Sequence, residues 1–293
     1  MRGVDRRVVL GLHRHDPDPV LLAHALTLGV RAVDTATNYQ RFHAHAALAR
    51  AAGELLAEFE VSTKVGYFPS PTGGPAVHSL NPGRLRRAIE RAADQLGRPP
   101  HTVLLHNPEV TLAGRPTAEG HDLLAAACGA LTAAAAGGWC TTWGISTWDP
   151  RPVRDALRHG PLDPALRPGV LMLRAGLSVS HQILAAGEQL TRHHEIGVDG
   201  RWGMSPFAGS TNDPVWQSLD LRSFLPSERP GTVRAPGTVP VAFRVAFQLP
   251  VVSRVAVGTA SAAHLAELVD AVTLPVDDAA VGRYRQLITR AAG

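Results

Sequence analysis

Four polar residues fall where short aliphatic runs end or turn away. Asp34 closes RAVD, Lys64 follows FEVST, His106 closes TVLLH, and Tyr39 lies five residues beyond Asp34. Their chemistries are complementary. A phenol gives up its proton near pH ~10, and a neighbouring ammonium stabilises the phenolate. Lys64 supplies such a charge, Asp34 holds it and offsets its burial, and His106 donates to a carbonyl oxygen and fixes its direction. The set is suited to protonating an oxygen. Singly, Asp34-Thr35 reads as a turn or cap and a strand-end histidine as structural. The weight lies in four compatible groups at three successive strand ends.

Lys64 is also the only lysine; every other basic residue among the 29 is arginine. Arginine does not replace lysine where a compact, titratable charge is needed.

The elements that must position these residues are legible as an alternation. Aliphatic runs at 7–12 (RVVLGL), 31–36, 59–66, 102–107, 141–147, 169–176 and 254–259 read as strands one to six and eight. Helices separate them, with starts marked by Asp18-Pro19, Asn81-Pro82 and Asp149-Pro150. Strand seven is placed by order alone within IGVDGRWGMSP (196–206), where glycine interrupts a poor alternation. Strict βα alternation over 293 residues predicts an α/β fold, a single (β/α)8 TIM barrel spanning 1–293. The first turn carries no G-x-G-x-x-G, which argues against an open dinucleotide-binding sheet. SERPGTVRAPGTVP (227–240) reads as an exposed mobile loop before the VAFRVAFQL helix.

Composition narrows the function classes. The net charge of +4 and pI near 9.7 come from scattered arginines, not a basic patch, so nucleic acid is not expected as a partner. The N-terminal VVLGL is too short for a signal sequence and no stretch reaches membrane-spanning length. A cytoplasmic protein is expected, monomeric or a small homo-oligomer, without membrane association. Cys128 and Cys140 lack metal spacing and read as reduced packing thiols. The pairs His13-x-His15, His43-x-His45 and His193-His194 have no third ligand at matching spacing, so no metal site is assigned. His13, Phe68, Trp148 and Trp202 fall on mouth loops and are read as lining a substrate pocket.

With these motifs in view, the sequence resembles the aldo-keto reductases from VVLGLH to VAVGTASAAHLAEL. VDTATNY, STKVG, LLHNPE, WGIST and the glycine-led turn after strand eight carry the resemblance. It looks closer to the branch acting on sugars and related aldehydes. The resemblance implies a nicotinamide cofactor, NADP or NAD, and a small-molecule carbonyl or alcohol substrate, with Tyr39 as proton donor. It also implies cofactor contacts at Ser146, Thr147, Met172, Met204, Ser205, Pro206, Phe207, Gly258, Thr259, Ser261, His264 and Glu267. Several depart from the family pattern: Thr147 and Met172 replace an Asn and a Gln that hold the carboxamide, and Met204 replaces the stacking aromatic. Neither Lys nor Arg stands at Gly258, Ala260 or His264, where a 2′-phosphate would be gripped. Ser261 caps a helix whose free N–H groups suit a phosphate. The thinned nicotinamide contacts keep an alternative open, a barrel lyase or isomerase using Lys64 as a Schiff-base amine or Tyr39 as an acid–base group. A cofactor-binding sensor without catalysis is the third class.

Overall fold

A computed structural model describes residues 5–226 and 236–291. Eight strands form the closed barrel: β1 (Val8–Gly11), β2 (Ala32–Asp34), β3 (Glu60–Val65), β4 (Thr102–His106), β5 (Thr142–Thr147), β6 (Val170–Arg174), β7 (Arg201–Met204) and β8 (Arg254–Val257). All pair in parallel with their sequence neighbours, and β8 closes on β1 through Val8 opposite Val255. The eight expected strands are therefore the eight observed.

Side-chain alternation along these strands separates two cores. Val9, Ala32, Leu104, Val170, Met172, Trp202, Met204 and Ala256 fill the barrel interior, while the alternate residues pack outward against helices. Every second position thus faces the interior, and the last such position of each strand faces the mouth. That arithmetic places Asp34, Lys64 and His106 at one opening.

The helix starts form as their sequences predict. Asp18, Asn81 and Asp149 accept hydrogen bonds from the backbone N–H groups of Val20, Arg84 and Arg151, each followed by proline in the first turn. Strand β7 carries a glycine for a packing reason. A Cβ on Gly203 would come within 2.8 Å of the Ala175 Cβ, so glycine is required where the hydrophobic alternation breaks. Between β3 and β4 lies a two-stranded antiparallel ribbon, Tyr67–Phe68 against Val77–His78. Strands of two residues carry no periodicity, so the sequence reading passes over them. Most of the segment read as a mobile loop, 227–235, lies outside the described residues; helix Thr238–Ala246 begins just after it.

Candidate active site

The ends of β2, β3 and β4 bring Asp34, Lys64 and His106 together, and the loop after β2 brings Tyr39 to them. The Lys64 ammonium is ion-paired with Asp34, donates to the Thr35 carbonyl oxygen at 3.0 Å, and lies 3.4 Å from the Tyr39 hydroxyl. Ser62, one pleat below Lys64, donates to the other Asp34 oxygen at 2.9 Å. His106 stands edge-on to Tyr39 with ring centroids 6.1 Å apart. Lys64 is 2% exposed, which makes the Asp34 carboxylate necessary: an unpaired ammonium at that depth would lose its proton.

The charges settle each group's protonation. Burial alone lowers the Lys64 pKa, but Asp34 and Tyr39 raise it and the net direction is up, so the amine stays protonated. Burial raises the Tyr39 phenol; the Lys64 ammonium pulls against it, Asp34 weakens that pull, and the net direction is again up. Lys64 therefore does not bring the phenol below its ordinary range, as the sequence reading expected, because burial of the phenol outweighs the ammonium's pull, which Asp34 also weakens. Burial and the nearby Lys64 hold His106 well below the ordinary histidine value, so it is neutral. Its Nδ1 is buried with no partner among the described residues.

These residues line a cavity of about 520 Å³ at the mouth. His13, Trp148, Met204, Ser205, Pro206, Phe207 and Gly258 line it as well. The floor between β1 and β8 is bare backbone: a Cβ on Gly258 would lie 3.2 Å from the Gly11 carbonyl oxygen. Ser146 sits at the mouth end of β5, fully buried, with its hydroxyl directed to the Met204 sulfur at 3.7 Å. Beyond β8, Ser261 caps helix Ala262–Ala271 by accepting from the His264 N–H, and His264 and Glu267 are exposed on that helix. Thr259 bonds within the same turn, accepting from the Ser261 N–H at 3.1 Å.

Four expected contacts lie elsewhere. Thr147 follows the inward-facing Ser146 and so points out of the barrel, where its hydroxyl donates to Glu109 at 2.7 Å. Met172 is wholly buried in the barrel interior, below the cavity. Trp202 faces the interior near the opposite end, with its indole N–H on the Asp199 carbonyl oxygen and Arg254 over its ring. Phe68 turns away from the mouth under the Arg84 guanidinium, and its neighbour Tyr67 enters the cavity instead. For Thr147 and Phe68 one step along the strand reverses the face, and Met172 and Trp202 face inward below the mouth; motif position alone reveals neither.

Several residues at the site escaped the sequence reading. Tyr67 lies edge-on to His106 at 5.0 Å and to His78 at 4.8 Å, and its hydroxyl accepts from Asn107 at 3.3 Å. The His78 ring bonds the His106 carbonyl oxygen at 2.7 Å and the Thr111 hydroxyl at 2.6 Å. Gly66 permits this closure: at φ +149°, a Cβ there would meet the His106 carbonyl oxygen at 2.8 Å. Glu109, buried, accepts from Thr147 and, at 2.7 Å, from the Trp148 N–H, which ties the β4 loop to the β5 loop. Its place in LLHNPE was the available signal. Arg14 lines the mouth and donates to the Gly209 carbonyl oxygen at 2.6 Å.

A larger cleft of about 640 Å³ opens at the other end of the barrel, lined by Arg6, Arg7, Arg244 and Arg254. Its arginines are engaged: Arg6 and Arg254 on Glu60, Arg7 on Asp5 and the Val272 carbonyl oxygen, Arg244 on that of Leu274. Among the described residues, no group of three His, Cys, Asp or Glu is arranged to hold a metal, and no helix is long and apolar enough to cross a membrane.

A closed parallel barrel with a buried Lys–Asp pair beside a phenol at the C-terminal mouth defines a (β/α)8 barrel whose site is suited to proton transfer. Residues 18–171 match the Aldo/keto reductase family, just over half of the chain, and the chain belongs to that family. The fold is similar to an aldo-keto reductase from Bacillus halodurans in its holo form, at 17% identity and a TM-score of 0.70, covering 97% of this chain and 91% of that one. It is similar to an aldo-keto reductase from Klebsiella pneumoniae in complex with NADPH, at 16% identity and 0.69, covering 98% and 96%. An aldose reductase from Giardia lamblia matches at 16% identity and 0.68, covering 99% and 94%. No curated protein sequence matches the chain.

Proposed function

We propose that the protein is an NAD(P)-dependent carbonyl reductase in which Tyr39 gives its proton to the substrate oxygen. The observation that carries this reading is the Lys64 ammonium 3.4 Å from the Tyr39 hydroxyl, fixed there by Asp34. The residues present suit a dinucleotide: a glycine-floored groove between Gly11 and Gly258, the capped helix start at Ser261, and an Arg14 with no carboxylate partner among the described residues. Gly258, Thr259, Ser261, His264 and Glu267 would hold one end of it, Ser205, Pro206 and Phe207 the middle, and Ser146 and Met204 the nicotinamide end. When bound in its reduced form, the cofactor supplies a hydride to the carbonyl carbon.

The chain's own groups then handle the oxygen. Neutral His106 directs the carbonyl toward Tyr39, and a neutral imidazole polarises it without competing as an acid. As negative charge grows on the oxygen, the phenol proton moves to it, because an alkoxide is far more basic than a phenolate. Lys64 stabilises the phenolate left behind, and Asp34 keeps the ammonium from turning away. His13 and Trp148 flank the substrate. A raised phenol pKa suits this direction, since Tyr39 enters the reaction protonated.

The lyase reading that uses Lys64 as a Schiff-base amine is less well supported: the amine is buried, ion-paired and held protonated, and therefore not nucleophilic. The buried free thiols Cys128 and Cys140, pushed up to about 12 and about 11, suit the reducing cytoplasm we propose as its setting. Stopped-flow or steady-state loss of reduced-nicotinamide absorbance with a panel of aldehydes tests the reading. Reduction is expected with wild type and lost with Tyr39→Phe. Absence of NADH and NADPH binding at millimolar concentration would overturn it.

A further inference from the structure

Strand β6 ends in an arginine that no hydrogen-bond acceptor or carboxylate among the described residues engages. Val170 and Met172 belong to the interior cluster and Leu171 and Leu173 to the outer one, so Arg174 continues the interior row to the mouth. It pairs in register with Met204, and its guanidinium lies 5.2 Å from the centre of the Trp148 ring. Met204 and Trp148 both line the cavity that holds Tyr39. The Arg174 Nε is buried without a hydrogen-bond partner, and the guanidinium makes no ion pair or hydrogen bond among the described residues. Burying a guanidinium N–H without an acceptor is unfavourable, so an acceptor is expected from outside the chain.

The neighbouring groups say what that acceptor is. The cavity lining contains one carboxylate, Asp34, and Lys64 already neutralises it. Glu109 is committed to Thr147 and the Trp148 N–H. Trp148 presents its ring to the guanidinium and is 42% exposed beside the site. An uncompensated guanidinium matches the geometry of a carboxylate or phosphate, and a neutral carbonyl compound offers it much less.

Building on the reductase reading above, we propose that Arg174 is a specificity-determining residue that grips an anionic group on the substrate. The substrates are then short carbonyl compounds carrying a carboxylate or phosphate, with the aldehyde or keto carbon directed to Tyr39 and the anion to Arg174 beside Trp148.

The experiment compares three aldehydes of matched chain length, one neutral, one ending in a carboxylate and one ending in a phosphate, with wild type, Arg174→Met and Arg174→Lys. Wild type is expected to favour at least one acidic aldehyde in kcat/KM by about tenfold or more, and the two acidic arms identify which anion is preferred. That ratio is expected to collapse in Arg174→Met and to recover in part in Arg174→Lys, which keeps the charge and loses the fork. Calorimetric titration with a short-chain carboxylate adds a direct reading, with binding to wild type and none to Arg174→Met. Melting curves confirm folding, and among the described residues Arg174 makes no hydrogen bond or ion pair whose loss would unfold the chain. Turnover of the neutral aldehyde without acidic preference overturns the assignment, as does a preference that survives in Arg174→Met. A loss of dinucleotide affinity in Arg174→Met with the ratio unchanged also overturns it. No turnover of any aldehyde together with no dinucleotide binding would remove the reductase reading itself.

Discussion

The Lys64 ammonium lies 3.4 Å from the Tyr39 hydroxyl while paired with the Asp34 carboxylate, both charges buried beneath the cavity that the phenol lines. The pairing explains why a chain that otherwise uses arginine keeps one lysine here. A guanidinium is planar and larger, and in this space it would not reach the Thr35 carbonyl oxygen, Asp34 and the phenol from one atom. Lys64→Arg is accordingly expected to lose most of its turnover although charge is conserved.

Removing the proton donor separates chemistry from folding. Tyr39→Phe is expected to lower kcat for carbonyl reduction by about 10²–10⁴-fold, the range for a positioned general acid. Its thermal melting should stay close to wild type, since the hydroxyl's protein contact is the single 3.4 Å approach. Reduction at a wild-type rate would leave the phenol without a role.

Breaking the ion pair from one side is expected to behave differently from removing it. Lys64→Met leaves Asp34 buried with an uncompensated charge, at a cost of about 3–5 kcal/mol. Adding Asp34→Asn should recover much of that stability and none of the activity. Urea denaturation of the single and double variants reads the difference.

The pH profile of reduction follows from the protonation states. Tyr39 must be protonated, and burial holds its pKa above the ordinary value of 10.0, so the rate should stay level through neutrality and fall only on the far alkaline side. His106 is neutral well below 6.5 and should contribute no break near that value. A break near pH 6.5 that disappears in His106→Gln would contradict this account.

Stability should fall with acid for a reason away from the site. His45, buried on the Thr63 hydroxyl at 2.6 Å, and His194, also buried, are each held down to about 4. Below the unfolded value of 6.5 the unfolded chain takes up protons that the folded chain does not, so their contribution is complete above 6.5 and lost as pH falls toward 4. At pH 5 this amounts to roughly 2 kcal/mol per histidine. Urea midpoints at pH 7 and pH 5 measure it, and His45→Gln should flatten the dependence by one proton.

Glu109 is expected to matter through Trp148. Glu109→Ala strands the Thr147 hydroxyl and the Trp148 N–H in a buried place, costing about 1–3 kcal/mol for each unpaired group. With the β5 loop released, KM should rise more than kcat falls; an unchanged KM would show that this loop does not shape the substrate site.

The division between sequence and tertiary structure is sharp at this mouth. Strand ends, proline-marked helix starts and the βα rhythm are local patterns, so the sequence alone determined the barrel and the strand ends carrying Asp34, Lys64 and His106. A period of two along each strand brings those three to one opening once the sheet closes. What lies opposite each residue is set by closure and loop packing. Thr147 therefore points out of the barrel and Trp202 sits deep at its far end, away from the site that their motif positions suggested, while Tyr67 enters the cavity and Glu109 ties the loops beside it. The net rise of the Tyr39 pKa is decided the same way, by burial outweighing a half-neutralised ammonium. So is the place of Arg174: an arginine in VLMLRAG is one among many in the sequence, and only the folded chain sets its guanidinium against Trp148 with no ion pair among the described residues.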